Sequence, residues 1–240
     1  MRKQMAVLKT TLALKTAYTD LIDRDPGVPG MMLVSGESGT GKTTAIDWLC
    51  EKHHGVKVRC YSIDKPVTLL TRIMNECGLE VARHLGNGVM VEQIARYLER
   101  KKKPLFVDEC DHLFKNLTML EAVRDIHDIA EVPVILIGHA GVEKKLANRQ
   151  QLYRRISQWV DFRAADLDDT RVLAKAICDV DLADDLLQHV HAQTNGNPGL
   201  VSVGLSRIEK FARANSKRKV DLESWGDRRL FVNPKARFAI

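Results

Sequence analysis

Apolar positions along the chain recur with two different periods, and the changes of period mark its elements. Met5, Leu8, Leu12, Leu14, Tyr18 and Leu21 lie at helical spacing within residues 3–23, and Asp25-Pro26-Gly27 breaks the run. Met31-Met32-Leu33-Val34 is continuously apolar, which predicts a buried strand, and Thr44–Cys50 has the spacing of a helix with one buried face. Val56-Lys57-Val58-Arg59-Cys60-Tyr61 alternates like a strand, and Asp64-Lys65-Pro66 turns the chain. Leu69, Leu70, Ile73 and Met74 predict a helix, Gly86-Asn87-Gly88 a loop, and Val91, Ile94, Ala95 and Leu98 the next helix, which Lys101-Lys102-Lys103-Pro104 stops. Leu105-Phe106-Val107 is a short strand, Met119, Val123, Ile126 and Ile129 a helical stripe, Val132–Gly138 a buried strand, and Trp159-Val160-Asp161-Phe162 the last strand.

Beyond Ala164 the pattern is helical only. Val172-Leu173-Ala174 with Ala176-Ile177, then Leu186-Leu187 with Val190, then Leu200-Val201 with Leu205, Ile208 and Phe211 predict three helices, broken at Asp179-Val180-Asp181 and Asn195-Gly196-Asn197-Pro198-Gly199. Strands alternating with helices predict an α/β domain with a central parallel sheet over residues 1–163. A helical lid over 164–215 and a polar, basic extension over 216–240, with Trp225, Leu230 and Phe231 as anchors, complete the expected organisation.

Composition narrows the function. Net charge is +6, with Arg2, Lys3, Lys9 and Lys15 ahead of any acid and Lys217, Arg218, Lys219, Arg228, Arg229, Lys235 and Arg237 near the other end. A polyanionic partner is expected, nucleic acid being the commonest. The five cysteines are widely spaced and form no C-x-x-C pair, which argues against a disulfide framework or a zinc site. No run of about eighteen apolar residues occurs and no signal-like segment, so the expected location is cytoplasmic, away from membranes.

The chemistry begins at Gly36-Glu37-Ser38-Gly39-Thr40-Gly41-Lys42-Thr43, between a predicted strand and a helix opening at Thr44. Glycines let the backbone curl so that its N–H groups and the helix N-terminus point at one anion. Lys42 can then reach the β- and γ-phosphates of ATP, and the Thr43 hydroxyl can take a magnesium site. Asp108 and Glu109 stand at the end of a buried strand, where the ligand crevice of an open α/β sheet lies. Asp108 is placed to hold magnesium through water, and Glu109 to orient or deprotonate the attacking water. His139, at the end of the next buried strand, would distinguish ATP from ADP. Lys144, Lys145, Arg149, Arg154 and Arg155 form a basic segment, suited either to completing a neighbour's phosphate site or to touching DNA phosphates.

Together, the phosphate loop, Leu105-Phe106-Val107-Asp108-Glu109, His139, the arginines before the last strand and the helical lid resemble the AAA+ ATPases. The compact size and the Val107-Asp108-Glu109-Cys110-Asp111-His112-Leu113 context look most like the transposition ATPases typified by the phage Mu B protein. That resemblance implies an ATPase that uses ATP and magnesium, forms rings or helical filaments on duplex DNA, and recruits or stimulates a transposase. It implies Lys42 and Thr43 on phosphate and magnesium, Asp108 in the magnesium shell, Glu109 on the water and His139 as first sensor. Arg154 or Arg155 would be the finger acting on a neighbouring subunit, with Arg149 a weaker candidate. Lys65, Thr68, Arg72, Lys144 and Lys145 would face DNA. Two departures stand out: there are too few residues ahead of the core for the helix-turn-helix domain of the Mu B protein, and Gly199 occupies the usual second-sensor arginine position, which predicts slow turnover. The alternative is a helicase-loader-like ATPase acting through a protein partner in DNA replication. A secretion-type ATPase shares some lid features, but it would be expected to carry a membrane segment or wall-binding domain, and the sequence reads as having neither.

Overall fold

The computed structural model describes Arg2 and residues 4–231. Lys3, Lys235 and Arg237, and with them part of the predicted basic extension, lie outside the described residues. The chain divides into two compact units. One contains Ala13–Glu37 and Lys42–Phe162; the other contains the described residues among the first twelve, Ser38–Gly41 and residues 163–231.

The larger unit is a five-stranded parallel sheet with helices on its faces. Its strands are β1 (Met31–Gly36), β2 (Val56–Arg59), β3 (Leu105–Asp108), β4 (Val134–Ile137) and β5 (Ile156–Phe162), in the order β2-β3-β4-β1-β5. Met31 and Leu33 join a core with α3 (Pro66–Glu76), α4 (Asn87–Lys101) and α5 (Leu117–Ala130). On α1 (Lys9–Ile22), Tyr18 stacks on Phe106 of β3 at 6.5 Å between ring centroids, so the other face is covered too. Coverage on both faces is why β1, β3 and β4 read as unbroken apolar runs. β2, at the edge, alternates: Val56 and Val58 are buried while Lys57 and Arg59 point away from that core.

Several boundaries differ from expectation. Asn87 and Gly88 belong to α4, whose cap is Gly86, because a short loop signal and a helix N-terminus share the same small residues. The stretch after β3 forms a 3-10 turn, Cys110–Lys115, and Asn116 caps α5 by accepting from Thr118 N at 3.0 Å. Two short helices, α6 (Val142–Ala147) and α7 (Gln150–Tyr153), occupy the basic segment, and β5 starts at Ile156, ahead of Trp159.

In the second unit, α8 (Leu167–Ile177), α9 (Asp184–Thr194) and α10 (Pro198–Ala214) enclose Leu173, Ile177, Leu186, Val190, Val201, Leu205 and Ile208. Trp225 of α11 (Leu222–Trp225) and Leu230 are buried in the same core, as is Leu8. Strand pairing also continues beyond Ala164: β6 (Asp181–Leu182) pairs in parallel with β7 (Lys219–Val220). Two-residue strands carry no readable alternation, so nothing local announces them.

Candidate functional site

β1 delivers the glycine loop and α2 (Lys42–Lys52) leaves it, buried through Ala45, Ile46 and Leu49. Gly36 sits at φ +151°, and a Cβ there would come within 2.3 Å of the Phe162 carbonyl oxygen, so only glycine closes the strand this tightly. Gly39, at φ +82°, and Gly41, at φ +89°, make two further positive-φ steps before the helix. The Lys42 ammonium donates to the Gly36 and Glu37 carbonyls at 2.6 and 2.7 Å. Burial pulls its pKa down, against the opposing pull of Asp108, Glu109 and Glu37. Thr43 and Thr44 follow in the exposed first turn of α2.

Three carboxylates cluster at the C-terminal end of β3. Asp108 lies 3.3 Å from the Lys57 ammonium, which also reaches Asp47 at 2.5 Å. Burial opposes the charge on Lys57, but Asp47 and Asp108 outweigh it and hold its pKa above the usual lysine value. Glu109 adopts a left-handed backbone, φ +55°, that swings its side chain out of the strand direction. Its two oxygens are divided between His139 Nε2, at 3.0 Å, and Arg59 Nη2, at 3.1 Å. Asp111 accepts the His139 backbone N–H at 2.7 Å and faces Lys145 Nζ at 2.9 Å.

The structure thus brings Asp108, Glu109 and His139 together in one unit and adds Lys57, Arg59 and Asp111, which were not anticipated. The β2 pair had a legible signal: alternation placed Lys57 and Arg59 on one side, and register sets Arg59 opposite Asp108.

Of the two finger candidates, Arg155 is tied to Asp128, through Nε at 2.6 Å and through Nη2, and donates to the Gln151 carbonyl. Arg154 is exposed and has no side-chain partner among the described residues.

The expected DNA-facing residues divide in the same way. Arg72 grips Asp64 through two bonds of 2.8 Å and lies over the Tyr61 ring at 4.3 Å, Thr68 exchanges hydrogen bonds with the backbone of Lys65, and Lys145 is held by Asp111. These three are contacts of the fold, whereas Lys65 and Lys144 are exposed with no ion pair among the described residues. Asp64 is nearly enclosed, and its hydrogen bonds from Arg72 hold its carboxyl below the usual carboxylate range. The pair's contribution is therefore present above the ordinary aspartate pKa and lost as pH falls through the depressed folded value. Arg72→Ala should cost about 1–3 kcal/mol in urea denaturation at neutral pH, less in acid, by stranding that carboxylate. A denaturation midpoint unchanged from wild type would show that the pair contributes nothing.

In the helical unit, to which Ser38–Gly41 belongs, Asn197 lies two residues ahead of Gly199 and opens α10. Its amide donates to the Ser38 carbonyl at 2.9 Å and its oxygen caps α10 by accepting from Leu200 N at 3.1 Å, while Gly199 N donates to the Gly39 carbonyl at 2.8 Å.

A model of the AAA domain family matches residues 25–146, more than half of the chain. The chain belongs to the AAA domain family. A potential ATP-binding protein of Staphylococcus aureus is 31% identical over 123 residues, which cover 50% of this chain and 41% of that protein. General secretion pathway protein A of Aeromonas hydrophila is 26% identical over 213 residues, 78% of this chain and 38% of its own length. The AAA chain described here thus spans about two fifths of the length of these curated relatives. Among solved structures, Cdc6p of Pyrobaculum aerophilum superposes with a TM-score of 0.64 at 16% identity, covering 92% of this chain and 65% of that one. Aeropyrum pernix Orc1, solved in complex with DNA, superposes with a TM-score of 0.62 at 17% identity, covering 90% and 62%. At these identities the likeness is one of fold, and the fold is the α/β AAA+ core with its five-stranded parallel sheet. No helix among the described residues is long and apolar enough to cross a membrane.

Proposed function

We propose that this AAA protein is a transposition-regulator ATPase of the Mu B type: it binds duplex DNA when ATP-loaded, assembles on it as rings or helical filaments, and recruits or stimulates a transposase. Hydrolysis ends the assembly. The observation that carries the hydrolytic part is the placement of Glu109 between His139 and Arg59, beside Asp108 and in the same unit as Lys42.

In this reading the loop N–H groups and Lys42 bind the phosphates, and Glu109 takes a proton from the attacking water. His139, in contact with the Glu109 carboxylate, couples the presence of a γ-phosphate to the position of that base. Thr43 and Asp108 offer only oxygen, which suits magnesium, a cation that keeps several waters and needs few carboxylates beside the substrate phosphates. When bound, magnesium would neutralise charge on the transferring phosphoryl group.

Arg154 completes a neighbour's site in this account, because Arg155 is already committed to Asp128. Arg154→Ala should lower hydrolysis in the assembled state by about 10³-fold, the order of a trans-acting arginine, with nucleotide affinity preserved. Arg155→Ala should act mainly through stability, by less than about 1 kcal/mol for so exposed a pair. Steady-state phosphate release from both variants on DNA decides between them, and equal losses would contradict the assignment.

The DNA part rests on the basic charge, on exposed Lys65 and Lys144, and on fold likeness to a protein solved with DNA. Affinity measured by fluorescence anisotropy should be higher with ATP than with ADP, fall steeply with salt and depend little on sequence. Equal affinity with ATP, ADP and no nucleotide would contradict it. The match to General secretion pathway protein A over 213 residues favours a second reading, in which the same core acts on a secretion apparatus through a protein partner. That reading predicts no nucleotide-dependent assembly on DNA.

A further inference from the structure

We propose that Asp111 is a positioning residue for hydrolysis: it fixes His139 against Glu109. The inference rests on the reading of this site as an ATP-hydrolysing centre.

Asp111 lies in the 3-10 turn directly after β3, with 11% of its side chain exposed. A carboxylate so enclosed is costly unless both oxygens are satisfied. Both are. Oδ2 accepts the His139 N–H at 2.7 Å, and Oδ1 meets the Lys145 ammonium at 2.9 Å. Burial alone would raise its pKa, but the His139 N–H and Lys145 prevail and hold the carboxyl below its ordinary value.

The same histidine is gripped at its other end, where Nε2 touches Glu109 Oε2 at 3.0 Å. Asp111 therefore holds the backbone of His139 while Glu109, two residues earlier, receives its ring. Gly138 makes the approach possible: a Cβ there would lie 2.8 Å from Asp111 Oδ2 and 3.0 Å from Cys110 Sγ. An apolar residue at 111 would leave the His139 N–H without its acceptor and free the end of β4 to shift. Shifts of about 1 Å in a catalytic group can cost about 10²-fold in rate.

The closing experiment separates the two oxygens. Asp111→Asn keeps an acceptor for His139 and loses only the ion pair; Asp111→Ala loses both; Lys145→Met, at an exposed position, removes only the cation. For folded protein, Asp111→Ala should lower kcat by about 10–100-fold with KM for ATP within about twofold. Asp111→Asn and Lys145→Met should stay within about threefold of wild type. The ring 1H–15N signals of His139, assigned with His139→Asn, should move and broaden in Asp111→Ala and stay in place in Asp111→Asn. Unmoved His139 signals in Asp111→Ala, or equal kcat losses in Asp111→Ala and Asp111→Asn, would overturn the positioning role. A wild-type protein that hydrolyses no ATP would overturn the hydrolytic reading instead, and the His139 signals would still decide whether Asp111 positions the ring.

Discussion

Glu109→Gln should hydrolyse ATP roughly 10²–10⁴-fold more slowly than wild type, the span expected when a general base is removed, while binding ATP as tightly. The amide keeps the shape and one acceptor of the carboxylate, so contacts with Arg59 and His139 are weakened without being emptied. What the glutamine cannot do is take a proton from water. Phosphate release measured alongside nucleotide affinity separates the two effects. A Glu109→Gln protein with a tenth or more of wild-type turnover would remove Glu109 from its assigned role and leave Asp108 with magnesium as the only chemistry at the end of β3.

The second large effect belongs to Lys42. Its ammonium bridges the Gly36 and Glu37 carbonyls across the loop that is to receive phosphate, so it is positioned before any anion arrives. Charge-assisted hydrogen bonds are worth about 1.5–3 kcal/mol, and Lys42→Ala should therefore weaken ATP binding by about 10–150-fold. At ATP concentrations that just saturate wild type, the variant should form markedly less nucleotide-dependent complex with DNA. Isothermal titration of ATP and anisotropy of labelled duplex test the two halves. Wild-type affinity in Lys42→Ala would mean that backbone N–H groups alone hold the phosphates.

Much of this site is legible in the chain because its signals are local. The glycine loop is one contiguous stretch between a strand and a helix, and Asp108 and Glu109 directly follow an apolar run whose burial is written in its composition. His139 follows from the same logic at β4. The rest depends on residues meeting across strands. Arg59 meets Glu109 across fifty positions, and Asp111 meets His139 and Lys145 across 28 and 34. No spacing rule encodes such pairs; they appear only when β2, β3 and β4 take their order in the sheet.

The basic segment shows the complementary limit. Counting Lys144, Lys145, Arg154 and Arg155 identifies charge but not which charges are already paired, and the acids that decide it, Asp111 and Asp128, lie outside the segment. Arg72 is the same case, since its acid partner sits in the turn that opens α3. In the helical unit, β6 and β7 stay silent in the pattern because each is two residues long and they meet across 38 positions.

Whether bound ATP holds an assembly on DNA decides the proposed function. Electron microscopy of the protein mixed with duplex DNA, in a non-hydrolysable ATP analogue and separately in ADP, tests this most directly. Regular rings or helical filaments on DNA with the analogue, and dispersed protein with ADP, are the predicted result. Bare DNA in both samples, or equal coating in both, would contradict it.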